Sequence, residues 1–118
     1  MDLQTFASHV LPSWVMAHFE VVSVKTVSDK LEISLDELHV PPEDAGETLE
    51  SKGFLPAVYL EDFPLRGKAV LLKVRRRKWK GLSTGKTITR NWKLAVQGTS
   101  YTEEFALFLK KLFGPLPS

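Results

Sequence analysis

The chain has 118 residues, 43% hydrophobic and 25% charged, with no cysteine and a formal net charge of +2. That length reads as one domain able to bury roughly two-thirds of its unfolded surface, and the composition is globular rather than disordered. The lack of cysteine excludes disulfides, thiolate zinc sites and cysteine nucleophiles and fits a reducing cytoplasm. No apolar run reaches the roughly 18 residues of a membrane span, and no segment reads as a signal peptide.

Residues 2–19 read as a helix interrupted at Pro12, with Leu3, Phe6, Val10, Trp14 and Phe19 close to one helical stripe. Residues 20–38 read as a β-hairpin. Val22 and Val24 alternate with Ser23 and Lys25, Leu31, Ile33 and Leu35 alternate with polar residues, and Ser28-Asp29 supplies the turn. Glu32 and Asp36 share its outer face.

Residues 39–53 read as a connection, either a solvated acidic loop or a helical turn from Pro42 to Lys52 closed by Gly53. Phe54 to Asp62 reads as the third strand, and Phe63-Pro64-Leu65-Arg66-Gly67 as a turn. The fourth strand is expected over Lys68 to Lys80. Its face carrying Val70, Leu72 and Val74 starts buried, and the strand ends as a charged ribbon beyond the sheet. The fifth runs from Lys86 to Val96. A final helix over 100–113 has Ser100 or Thr102 as its cap, Phe105, Phe108, Leu109 and Leu112 as its apolar stripe, and Gly114-Pro115 as its stop.

Charge is separated along this order. Residues 1–62 hold three Lys against twelve Asp and Glu, whereas residues 63–102 hold eleven Lys and Arg and no acid. The near-neutral total thus conceals an acidic half (1–62) followed by a basic hairpin (63–98). An edge strand needs only one or two lysines to discourage aggregation. Six cations between Lys73 and Lys80 exceed that, and such a field attracts polyanions, nucleic acid foremost. The phosphate-contact candidates are Arg75, Arg76, Arg77, Lys78 and Lys80, flanked by Lys73, Lys86, Arg90 and Lys93. Trp79 among them packs on the core, stacks on a base or anchors an interface. A ribbon docked on an acidic protein partner, or covered by the chain's own acids, is the competing reading.

Other chemistry is thin. Ser83-Thr84-Gly85-Lys86-Thr87 looks like the end of a phosphate-binding loop, but only three residues separate Gly81 from Gly85 where the motif requires four, and a strand-like run follows where the motif opens a helix. A hairpin turn fits better. His9, His18 and His39 are not at ligand spacing, and no acid–base pair stands out, so no metal, cofactor or catalytic residue is expected.

The residues Asp62-Phe63-Pro64-Leu65-Arg66-Gly67-Lys68, Arg76-Arg77-Lys78-Trp79, Thr84-Gly85-Lys86, Arg90-Asn91-Trp92, Gly98-Thr99 and Thr102 to Lys110 together resemble a known pattern. It is similar to the N-terminal region of bacterial insertion-sequence transposases of the ISAon type. There, a short first reading frame precedes a separate frame carrying a DDE catalytic domain of RNase H-like fold. The likeness is close over roughly residues 50–113 and loose before that. It implies a role in transposition, binding transposon ends or assisting the separately encoded catalytic subunit, and it brings no catalytic residue. Related transposases carry a cysteine-rich zinc segment after a comparable basic strand, which this chain lacks.

The expectation is therefore a single α+β domain over 1–118. A mostly antiparallel twisted sheet of about five strands bears a protruding basic hairpin and is packed by N- and C-terminal helices. The expected function is that of a cytoplasmic, non-enzymatic DNA-binding accessory domain of a transposase, or alternatively a subunit that docks on the catalytic transposase chain or another acidic partner.

Overall fold

A computed structural model describes residues 2–90 together with Thr102, Phe105 and Leu107. The expected strand residues 91–96, including Lys93, and the rest of the C-terminal helix lie outside the described residues.

The chain enters through two short helices, α1 (Leu3–Val10) and α2 (Ser13–His18). Asp2 caps α1, its carboxylate accepting the Thr5 N–H at 2.7 Å. Pro12 separates the helices as its missing donor and fixed φ require. The buried positions are Ala7, Leu11, Val15 and Phe19, while Leu3 and Phe6 are exposed. The stripe read from the sequence was therefore one residue out of phase through α1.

Among the described residues the strands form two sheets, with mostly antiparallel neighbours. In the first, β1 (Phe19–Val27), β2 (Lys30–Glu37), β4 (Val58–Leu65) and β5 (Lys68–Arg75) lie in the order β1-β2-β5-β4. In the second, β3 (Leu49–Phe54), β6 (Arg77–Gly81) and β7 (Thr87–Ile88) lie in that order. Where the sequence leads us to expect a single sheet of about five strands, the described residues divide into sheets of four and three.

Two antiparallel hairpins, β1-β2 and β4-β5, are joined by a parallel pairing of β2 with β5. Each hairpin closes on a two-residue turn of positive φ, Ser28-Asp29 and Arg66-Gly67, whose twist matches that of the flanking strands. The second turn is shorter than the five residues anticipated. Phe63 and Pro64 belong to β4 instead, at a register shift between Asp62 and Leu65, where a missing N–H breaks no regular ladder.

A bulge between Val21 and Ser23 breaks the alternation expected in β1, moving Val22 off the face on which Val24 still packs against the core. Val21 faces the core and Val22 is 52% exposed. The Gln4 side chain pairs with this strand, its Nε2 donating to the Val21 carbonyl at 2.7 Å and its Oε1 accepting the Val21 N–H at 3.2 Å. An amide from α1 thus satisfies two backbone groups of an edge strand. On the inner face Val21, Ile33, Leu35, Leu60, Val70, Leu72 and Val74 close on Ala7, Leu11, Val15 and Phe19. That apolar layer between helices and the four-stranded sheet is the core.

The connection 39–53 contains a 3-10 turn at Glu43–Ala45, and the segment read as a loop or helical turn ends as β3. Strand β3 belongs to no hairpin of its own. It forms by pairing with β6, so no local period announces it.

Against β4, the Thr102 N–H donates to the Glu61 carbonyl at 2.9 Å, and its hydroxyl donates to Asp62 Oδ1 at 2.8 Å. Thr102 Oγ1 also accepts the Phe105 N–H at 3.4 Å, as a helix cap does, and Phe105 and Leu107 are helical. Phe105 packs on Phe63 with ring centroids 5.2 Å apart. Burial pushes the Asp62 carboxyl pKa up, against the Thr102 hydroxyl and the Phe63 N–H, which pull it down.

A carboxyl with a raised folded-state pKa stabilises the fold below its unfolded pKa and loses that contribution as pH rises through the folded value. Asp62→Asn keeps an acceptor for Thr102 and cannot ionise. It is expected to raise Tm at pH 7 by about 2–4 °C over the parent and to lose that advantage at pH 4, in thermal melts followed by circular dichroism. An advantage independent of pH would contradict the buried, ionising carboxyl.

Candidate nucleic-acid interface

The basic run is not one strand. It leaves the four-stranded sheet at Arg75, makes a break at Arg76 and re-enters as β6 of the three-stranded sheet. The long, protruding fourth strand expected over Lys68–Lys80 is corrected accordingly. Its continuous alternation spans a sheet-to-sheet crossing, which period-two patterning cannot distinguish from an uninterrupted strand.

The arginines on either side of the break are held by the chain. Parallel pairing puts Asp36 opposite Arg75. Arg75 Nε and Nη2 donate to the two Asp36 oxygens at 2.7 and 2.6 Å, a bidentate pair that raises the guanidinium pKa further. One residue later on β2, Glu37 is 2% exposed. Its Oε1 accepts the Arg77 N–H at 3.2 Å and its carbonyl accepts Arg77 Nε at 2.8 Å. Arg77 Nη1 reaches Ser51 Oγ of β3 at 3.3 Å. Both guanidinium groups lie over the Phe54 ring, Arg75 at 4.1 Å and Arg77 at 4.6 Å from its centroid.

Arg90 is engaged as well. Its Nε lies 3.7 Å from Glu37 Oε2, and Nη2 donates to the Val40 and Pro41 carbonyls at 3.1 and 3.2 Å. It walls an open cleft of about 510 Å³ with His18, Glu43 and Asp44. Arg76 is half-buried, with Nε enclosed and without a hydrogen-bond partner among the described residues.

Trp79 is 1% exposed, its ring edge-on to His39 at 5.2 Å. Of the three roles open to it, packing is the one this geometry supplies. As the middle residue of β6 it turns inward, and no face is open to a base. The indole N–H is buried without a hydrogen-bond partner among the described residues.

Alternation along β6 puts Arg77, Trp79 and Gly81 on the inner face and Lys78, half-buried, and Lys80, exposed, on the outer one. Pairing adds Glu50, opposite Lys80, and exposed Lys52 of β3 reaches Glu50 at 3.4 Å. Exposed Lys86 adjoins at the β6-β7 turn. Lys73 is half-buried on the outer face of the four-stranded sheet, opposite Ser34 and Tyr59. Among the described residues Lys73, Lys78, Lys80 and Lys86 form no ion pair.

The structure therefore divides the sequence candidates. Arg75, Arg77, Arg90 and Trp79 are part of the fold's framework, and Lys78, Lys80 and Lys86 face outward. Phe54, Asp36, Glu37 and Lys52 were not legible as members of this region, because only pairing between distant strands brings them to it. The acidic residues of the first half were the sole hint that some cations would be covered.

No family model, curated protein or solved structure matches the chain.

The framework role makes a specific demand on variants. Arg75→Lys retains the charge but loses the fork and the planar stacking on Phe54, so it should destabilise the protein by about 1–2 kcal/mol, nearly as much as Arg75→Ala. Trp79→Ala should cost about 3–5 kcal/mol as a core deletion. Urea denaturation measures both, and a neutral Arg75→Lys would show that the pair with Asp36 is incidental.

Proposed function

We propose that the protein is a non-catalytic, cytoplasmic DNA-binding accessory domain of a transposase that touches the phosphate backbone through lysines of its three-stranded sheet. The observation that supports this reading is the outer face of that sheet. Among the described residues Lys52, Lys78 and Lys80 share it with Glu50, and Lys86 stands at the adjoining turn, which also holds the Glu47 carboxylate. Lysines act as point charges on phosphate and carry no base code, so the contact is one of backbone affinity rather than sequence readout. The transposase context comes from the likeness of residues 62–68, 76–79 and 102–110 to the ISAon type. No helix among the described residues is long and apolar enough to cross a membrane.

The second reading, docking on the separately encoded catalytic transposase chain, is favoured by the internal engagement of Arg75, Arg77 and Arg90, which leaves few guanidinium forks for phosphate. Pull-down of the catalytic chain with and without nuclease separates the two. Retention after nuclease points to docking, and loss points to DNA.

With about four phosphates neutralised, duplex affinity should fall with salt at a log–log slope of about −3 to −4. Lys78→Glu with Lys80→Glu should flatten that slope by about 2, measured by fluorescence anisotropy at several chloride concentrations. A slope near zero for the parent removes the DNA reading.

A further inference from the structure

The turn between β6 and β7 holds a carboxylate in its mouth. The Glu47 side chain accepts the backbone N–H groups of Ser83 and Thr84, each at 3.0 Å, and the Thr84 hydroxyl at 2.8 Å. The other turn amides are used within the protein. Leu82 donates to the Thr48 carbonyl at 3.0 Å, Gly85 to the Gly81 carbonyl at 2.8 Å and Lys86 to Thr84 Oγ1 at 3.2 Å. The donors thus converge on one oxyanion. A Cβ on Gly81 would run into the Glu47 carboxylate, so glycine at this position permits the close approach. The Thr84 amide and hydroxyl, then the Ser83 amide and the Lys86 charge, hold the Glu47 carboxyl below its ordinary pKa.

Two successive main-chain N–H groups, a hydroxyl and a lysine make a donor set suited to phosphate. The turn residues 82–87 are exposed. Glu47 stands on the connection just before β3, after Gly46 in the left-handed region at φ +76°, so its side chain can swing away without breaking a strand ladder.

We propose that the β6-β7 turn is a phosphate site and that Glu47 occupies it as a built-in competitor. The site rests on the turn's own donors. Only the assignment of its phosphate to a nucleic-acid backbone rests on the DNA reading, since Lys86 adjoins the face carrying Lys78 and Lys80. An internal carboxylate lowers apparent phosphate affinity by the fraction of molecules in which it blocks the donors.

The test uses the full chain, labelled with ¹⁵N and titrated with inorganic phosphate against chloride at matched ionic strength. Glu47→Ala should show saturable shifts of the Ser83 and Thr84 amides at a phosphate concentration about tenfold lower than the parent needs, and adding Lys86→Ala should reverse that gain. Gly81→Ala, which displaces the Glu47 carboxylate and leaves each donor in place, should reproduce it and serves if Glu47→Ala does not fold. Shifts absent from both variants, or equal in chloride, overturn the site, as does failure of both variants to fold.

A second titration with a short DNA duplex distinguishes the source. Tighter duplex binding by Glu47→Ala assigns the site to a backbone phosphate, and unchanged duplex binding with phosphate shifts intact assigns it to free phosphate. A flat salt dependence of duplex binding beside intact phosphate shifts defeats the DNA reading alone.

Discussion

The fold depends on how the basic run changes sheets. Strand β5 is paired on both sides in the four-stranded sheet, and β6 lies between β3 and β7 in the other, so Arg76 is the covalent step between two hydrogen-bonded layers. Neighbouring carboxylates at the end of β2 hold that step. Asp36 grips Arg75 before it and Glu37 grips Arg77 after it, while both guanidinium groups share the Phe54 ring of β3. Side chains from four strands thereby fix the crossing. Guanidinium suits the place, because it accepts a bidentate partner in its plane and an aromatic ring on its face at the same time.

This arrangement changes the meaning of the charge separation. Along the sequence the acids and the cations occupy different halves, but parallel pairing of β2 with β5 brings Asp36 and Glu37 at the end of β2 beside the start of the basic run at Arg75. Arginines are drawn into the junction, and lysines are left outside it. Lysine costs more to desolvate and lacks the fork, so the outward positions Lys78 and Lys80 suit it as the junction does not. A surface of lysines supplies long-range attraction and salt-dependent contact but little geometric selectivity. Under the proposed function, such a surface would contribute backbone affinity and leave sequence readout to another chain.

The β6-β7 turn shows the same economy of anions and donors. A short loop with several N–H groups on one side must satisfy them, by water or by an acceptor. Here the acceptor is Glu47, from the connection that leads into β3, so the carboxylate also ties that strand to the turn. The failed spacing of the phosphate-loop motif excluded its strand–loop–helix setting, and the turn is indeed one of a hairpin. The donor chemistry of Thr84 and Lys86 survives in that different backbone.

The local pattern alone determined a good deal. Pro12 divided the first helices because a prolyl nitrogen cannot donate. Ser28-Asp29 set the first hairpin, because Asp tolerates positive φ and both side chains favour turns. The apolar alternation of Val70, Leu72 and Val74 gave the inner face of β5 correctly. Ser100 and Thr102 both read as caps of the last helix, and Thr102 makes a cap's hydrogen bond.

What local pattern could not reach was anything decided between segments far apart in the chain. The bulge at Val21–Ser23 moves Val22 to solvent by inserting one residue into a period of two. Strand β3 exists because β6 offers it a ladder. Trp79 is buried because Arg76 turns the chain into a second sheet. Whether an arginine faces a phosphate or an aspartate depends on which strand lies beside it. Sequence chemistry thus set the kinds of contact available to this protein, and only the pairing of distant strands, whose energies are collected after the chain has closed on itself, decided which residues make them.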